Sequence, residues 1–99
     1  MLTSNKERAV TKMSIKYRLY TQDLNRSDVV HLTAQRFDGA TFTSGQGLWQ
    51  GNEEATLIVE VIRADERDAE IDALARDVKR ANKQASVLIT KEIVEASFV

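Results

Sequence analysis

Few residues in this chain are of a type that does chemistry, and their spacing decides what they can do. The one histidine, His31, sits between the apolar positions Val29 and Leu32, and a solvated or structurally bonded imidazole is the ordinary state of such a residue. No cysteine is present, so thiolate nucleophiles, disulfides and Cys-ligated zinc are excluded. No Ser-His-Asp or Cys-His arrangement can be assembled, so no catalytic residue, metal ligand or cofactor is assigned. The adjacent Glu53 and Glu54 would point to opposite faces of an extended chain, a poor geometry for an acid–base pair and an ordinary one for solvated loop charge. Gly45, Gly47 and Gly51 superficially resemble a phosphate loop. They lack the Lys-Ser/Thr end of a P-loop and lead into a strand rather than a helix N-terminus. Trp49, beside these glycines, reads first as the plug of a subunit interface and second as a stacking surface for a ligand. The run Asn82-Lys83-Gln84-Ala85-Ser86 offers amides and a hydroxyl that either satisfy backbone groups or contact a ligand.

The whole chain narrows these readings. Its 99 residues support one domain. With 42% hydrophobic and 29% charged residues the composition is that of a folded globular protein. Fourteen Lys+Arg stand against 15 Asp+Glu, a formal net charge of -1, which removes the long-range electrostatic case for nucleic acid or an anionic membrane surface as partner. Residues 1–13 show no apolar periodicity and no run of signal-peptide type, and are expected to be a flexible lead-in to a single domain over 14–99. No stretch reaches the length of a membrane span, and a cytoplasmic location is expected.

From Ser14, the residues Ile15, Tyr17 and Leu19 alternate with Lys16, Arg18 and Tyr20, the pattern of a half-buried strand. A helix follows, with Asn25 as expected N-cap, Val29, Leu32 and Thr33 facing inward, and Gly39 as its stop. A strand over Ala40–Ser44 is expected to run into a loop from Gly45 to Asn52, in which glycines permit positive φ and bulges. Thr56–Ile62 is apolar on both faces, with Leu57, Val59 and Val61 on one and Ile58 and Ile62 on the other. The second helix is expected to be capped by Asp65 and to bury Ile71, Leu74, Ala75, Val78 and Ala81. The last strand starts at Ser86, and its apolar parity switches from Val87 and Ile89 to Val94, Ala96 and Phe98. Fourteen extended residues would span roughly 46 Å, so a bulge near Lys91-Glu92 is expected.

The order β-α-β-β-α-β predicts an α+β, ferredoxin-like plait: a four-stranded antiparallel sheet with both helices on one face and the first and third strands central and parallel. Ile58, Ile62 and Tyr20 then lie on the uncovered face, which argues for a partner there. Glu60 lies among them, where an unpaired carboxylate costs several kcal/mol, so Lys16 or Arg18 should reach it.

Phe37-x-Gly39-Ala40-Thr41, Gly45-x-Gly47-x-Trp49-x-Gly51, Glu54 and the strand Leu57-Ile58-Val59-Glu60-Val61 together resemble the PII-like superfamily. That group includes the nitrogen-regulatory PII proteins, the CutA proteins and several uncharacterised families, and Gln84-Ala85-Ser86-Val87-Leu88 is similar to one of the last. The resemblance runs from about Ile15 to Phe98. It implies a homotrimer with sheets facing inward, Trp49 packed near Val94–Phe98 of another chain, and ligand clefts between subunits, walled by the second hairpin and the final strand. Trp49, Glu54, Gln84 and Ser86 become the candidate ligand-binding residues. The glycine- and lysine-rich nucleotide loop of true PII proteins is absent before the last strand, as are the cysteine and histidine invoked for copper in CutA. Three functions follow in order: a small oligomeric binding or regulatory protein, a structural or interaction module, and an enzyme using Glu54, Tyr17 or Tyr20 between subunits.

Overall fold

Alternating apolar residues place Ile15, Tyr17, Leu19 and Thr21 on one face of a long strand, β1 (Val10–Gln22), in the computed structural model, which describes residues 10–99. The chain continues through α1 (Arg26–Ala34), β2 (Thr41–Trp49), β3 (Asn52–Arg63), α2 (Asp68–Asn82) and β4 (Leu88–Phe98). The strands form one antiparallel sheet in the order β2-β3-β1-β4, the ferredoxin-like plait read from the sequence. Its core unites Tyr17 and Leu19 of β1 and Leu57, Val59 and Val61 of β3 with Val29 of α1 and Ile71, Leu74 and Val78 of α2. Both helices therefore cover the same face of the sheet.

Several expectations are corrected. β1 and β3 are central neighbours but antiparallel, with Tyr17 opposite Val61 and Leu19 opposite Val59. The crossover through α1 makes β2 parallel to β1, and the tight reversal after β2 seats β3 between them, antiparallel to both. The expected loop from Gly45 to Asn52 is strand. Register runs unbroken from Thr41 opposite Glu60 to Trp49 opposite Asn52, closed by a two-residue turn in which Gln50 (φ 49°) and Gly51 (φ 81°) are both left-handed, as the twist of a hairpin favours. Gly47 is needed for space rather than for φ: a Cβ there would overlap the Thr56 hydroxyl and lie 3.6 Å from Glu54 Cγ.

β4 has no bulge. Its register against β1 is constant from Leu88 opposite Tyr20 to Phe98 opposite Val10, and a molecule 51 Å long accommodates the straight strand. The parity switch has another cause. Ile89 lies opposite buried Leu19 on the helix-covered face and packs on the core, whereas Ile93, on that same face, is 62% exposed. Beyond Lys91 that face has lost its helical cover, and the apolar residues Val94, Ala96 and Phe98 fall on the other side. Of the lead-in expected over 1–13, residues 1–9 lie outside the described residues, and Val10–Met13 open β1.

The helix ends also differ from expectation. The Asn25 side chain does not cap α1; its Nδ2 donates to Asn82 Oδ1 at 3.3 Å. Arg67, not Asp65, precedes α2, and Asp65 instead accepts from Arg67 Nε at 3.2 Å. α1 stops at Ala34, and Phe37 is buried just past it, its N–H bonded to Thr33 O at 2.9 Å. On the uncovered sheet face Tyr20 stands opposite Ile58 and Arg18 opposite Glu60. Arg18 Nε donates to Glu60 Oε1 at 2.9 Å, the pairing expected for that carboxylate.

Candidate functional site

β1 ends at Gln22, while the β2–β3 hairpin runs on past it and the link from α2 to β4 comes down beside it. The space between them is a cleft of about 650 Å³. Gly45 and Gly47 leave two positions of the β2 wall without side chains, and Tyr20, Ile58 and Leu88 supply apolar surface from the uncovered sheet face. Trp49, Glu54, Gln84 and Ser86, the four residues singled out from the sequence, all line it. Trp49 closes the last rung of the hairpin and is 57% exposed in the single chain.

The α2–β4 link is shaped by how α2 stops. Lys83 adopts a left-handed conformation (φ 54°), its N–H bonds Arg80 O at 3.2 Å, and the Gln84 N–H bonds Lys79 O at 2.9 Å. This paired closure satisfies the last carbonyls of the helix and delivers Gln84 to the end of β1. There Gln84 Oε1 accepts from the Thr21 hydroxyl, from the Gln22 backbone N–H at 3.3 Å and from Asn82 Nδ2 at 3.1 Å. Asn82 Nδ2 also donates to Gln22 O at 3.1 Å. Backbone N–H and C=O groups cannot exchange roles, so these contacts fix which way round both carboxamides lie. Gln84 lines the cleft, and its Nε2 has one partner among the described residues, Ser86 O at 3.3 Å. Gln22 Nε2 in turn donates to Glu54 Oε2. The site therefore presents a fixed donor at Gln84 and an acceptor at Glu54, beside two aromatic rings.

No protein-family model and no curated protein matches the chain. Solved structures do match. A phage SAM lyase in complex with S-methyl-5′-thioadenosine is 14% identical, with a TM-score of 0.65 over 88% of this chain and 92% of its own. CPII, a nitrogen regulatory PII-like protein from Thiomonas intermedia K12 bound to ADP, AMP and bicarbonate, is 9% identical, with a TM-score of 0.65 over 91% of this chain and 99% of its own. GlnK from B. subtilis, in complex with ATP, is 19% identical, with a TM-score of 0.60 over 87% and 85%. The chain has the PII-like fold.

The other chemically capable residues of the chain lie away from the cleft. Tyr17 is 2% exposed; its hydroxyl donates to Asp68 Oδ1 at 2.6 Å and accepts from the Arg67 N–H at 2.8 Å, at the far end of α2. Burial, then the bond to Asp68, raises the Tyr17 pKa. The Tyr17 hydroxyl, then Lys91, lowers that of Asp68, and Asp68 raises that of Lys91. This is a structural clasp between β1, α2 and β4, so Tyr17 leaves the set of candidate site residues. His31 is exposed on α1, its Nε2 3.1 Å from Gln35 Nε2. Among the described residues no group of three or more His, Asp or Glu could hold a metal ion, and no helix is long and apolar enough to cross a membrane. The sequence reading named Asn82 only among the link's amides that satisfy backbone groups or contact a ligand; it bonds the Gln22 carbonyl and is the buried hub, 5% exposed. Its signal was a polar residue four positions after Val78, on the helical stripe that the apolar residues define.

Proposed function

We propose that the cleft binds a small molecule carrying an adenosine group, and that the protein acts as a small oligomeric binding or regulatory protein. The observation that carries this reading is the combination, in one cleft, of the Tyr20 and Trp49 rings with a locked donor at Gln84 and an acceptor at Glu54. A purine offers two faces for stacking and an edge that alternates acceptors and donors. The structural neighbours support the choice of ligand class: the SAM lyase is in complex with S-methyl-5′-thioadenosine, CPII with ADP and AMP, and GlnK with ATP. The oligomer is a homotrimer joined through the uncovered sheet faces, where Ile62 is 44% and Leu88 59% exposed in the single chain. The cleft is then completed by a neighbouring subunit.

The test is a melting series with adenosine, 5′-methylthioadenosine, AMP and ATP, read together with the emission of the single tryptophan. A ligand at about one hundred times its Kd stabilises a folded protein by about 2.7 kcal/mol. The expected result is a saturable rise in Tm with at least one of the four, a change in Trp49 emission, and loss of both in Gln84→Ala. A stable trimer that responds to none of them leaves the structural-module function instead. A second reading, an enzyme, is favoured by one observation: Glu54 and the Tyr20 phenol share the cleft. Release of 5′-methylthioadenosine from S-adenosylmethionine faster than in a protein-free control, returned to the control rate in Glu54→Gln, would establish it, and release at the control rate with the unaltered protein would remove it.

A further inference from the structure

We infer that the cleft selects adenosine compounds whose 5′ group is neutral or cationic over 5′-phosphates, and that the Glu54 carboxylate makes that selection. This rests on the adenosine reading of the cleft and deepens it. Of the described residues by which one chain lines the cleft, the charged ones are Glu54 and Lys83, so this chain's share of the lining is balanced rather than basic. A phosphate brings about two negative charges, and sites that hold phosphates supply clustered Arg and Lys or the free N–H groups of a helix N-terminus. Here the helix bordering the cleft presents its C-terminus, the negative end of its dipole. The N–H groups of Lys83 and Gln84 are already turned back onto Arg80 O and Lys79 O.

Glu54 cannot easily withdraw from an incoming anion. Its Oε2 accepts from Gln22 Nε2, and the Gln22 backbone is itself tied by its N–H to Gln84 Oε1 and by its C=O to Asn82 Nδ2. A carboxylate held at the wall of a partly enclosed, partly apolar cleft repels an anion and attracts a cation more strongly than it would in open water.

The experiment is a calorimetric titration of the intact protein with 5′-amino-5′-deoxyadenosine, adenosine and AMP, whose 5′ groups are cationic, neutral and anionic on a common adenosine. At low salt the affinity should fall by about tenfold from the amine to adenosine, an electrostatic difference of about 1.4 kcal/mol, and by more from adenosine to AMP, where the charge changes by about two; both steps should shrink at high salt. Glu54→Gln should bring the amine and adenosine together and improve AMP, and Lys83→Gln should leave the order unchanged. An unaltered Tm in each variant shows that the comparison is between folded proteins. AMP binding as tightly as adenosine or tighter, or an order unchanged by Glu54→Gln, would overturn the inference. Binding of all three in the wrong order leaves the adenosine reading standing, and binding of none removes that reading and this inference with it.

Discussion

Asn82 is where a single side chain decides most. It is buried at the end of α2, donates to Thr21 Oγ1 at 3.0 Å, to Gln22 O and to Gln84 Oε1, and accepts from Asn25 Nδ2. Asn82→Ala should cost about 1–3 kcal/mol, because a buried Thr21 hydroxyl and a Gln22 carbonyl lose their donor; chemical denaturation measures it. The same variant should weaken adenosine binding while leaving the lining residues in place, since Gln84 Oε1 then loses one of its three donors and is held less firmly. Unchanged stability would mean that the hub is not formed. Trp49, Glu54, Gln84 and Ser86, which the resemblance offered as ligand-binding candidates, all line one cleft. The role of Asn82 as a hub was not legible, because it depends on Thr21 and Gln22, some sixty residues away, ending their strand beside it.

At the scale of elements, the alternation in β1 and β3 and the stripe in α2 carried the fold, since each pattern has one face that must be buried. Two elements were misread for physical reasons. The glycines of β2 suggested a loop, yet Gly47 is required because Thr56 crowds it from the neighbouring strand. The parity switch in β4 suggested a bulge, yet it reflects a straight strand passing beyond its helical cover.

The clasp that fastens β1, α2 and β4 gives a pH prediction. The Asp68 pKa is depressed in the folded state by the Tyr17 hydroxyl and Lys91, so its contribution is present above its unfolded pKa of about 4 and is lost as pH falls through the folded value. Those of Tyr17 and Lys91 are raised, so their contributions are present below about pH 10 and are lost as pH rises through the folded values. Denaturation curves against pH should therefore slope down at both ends, and Asp68→Asn should flatten the acid slope. An acid slope identical in the variant would show that the clasp contributes nothing.

At the scale of the whole molecule, the open sheet face and the cleft must be considered together. Ile62 lies on that face, outside the cleft, and is 44% exposed. Ile62→Asp would place an unpaired charge in the proposed interface, at a cost of several kcal/mol. Light scattering should then report monomer where the unaltered protein gives trimer, and monomer in both would remove the trimer. Because the cleft is proposed to be completed by a neighbouring subunit, the same variant should also bind adenosine more weakly.

The central claim is that the cleft between the hairpin and the α2–β4 link is an adenosine site. Its most direct test is an NMR titration of the isotope-labelled protein with adenosine, following the indole of Trp49 and the side-chain amides of Gln22, Gln84 and Asn82. The account predicts saturable shifts at those groups, with the signals of Tyr17, Asp68 and Lys91 at the far end of α2 unmoved. Absent shifts, or shifts confined to the groove of Asp72, Arg76 and Lys79 beside β4, would contradict it.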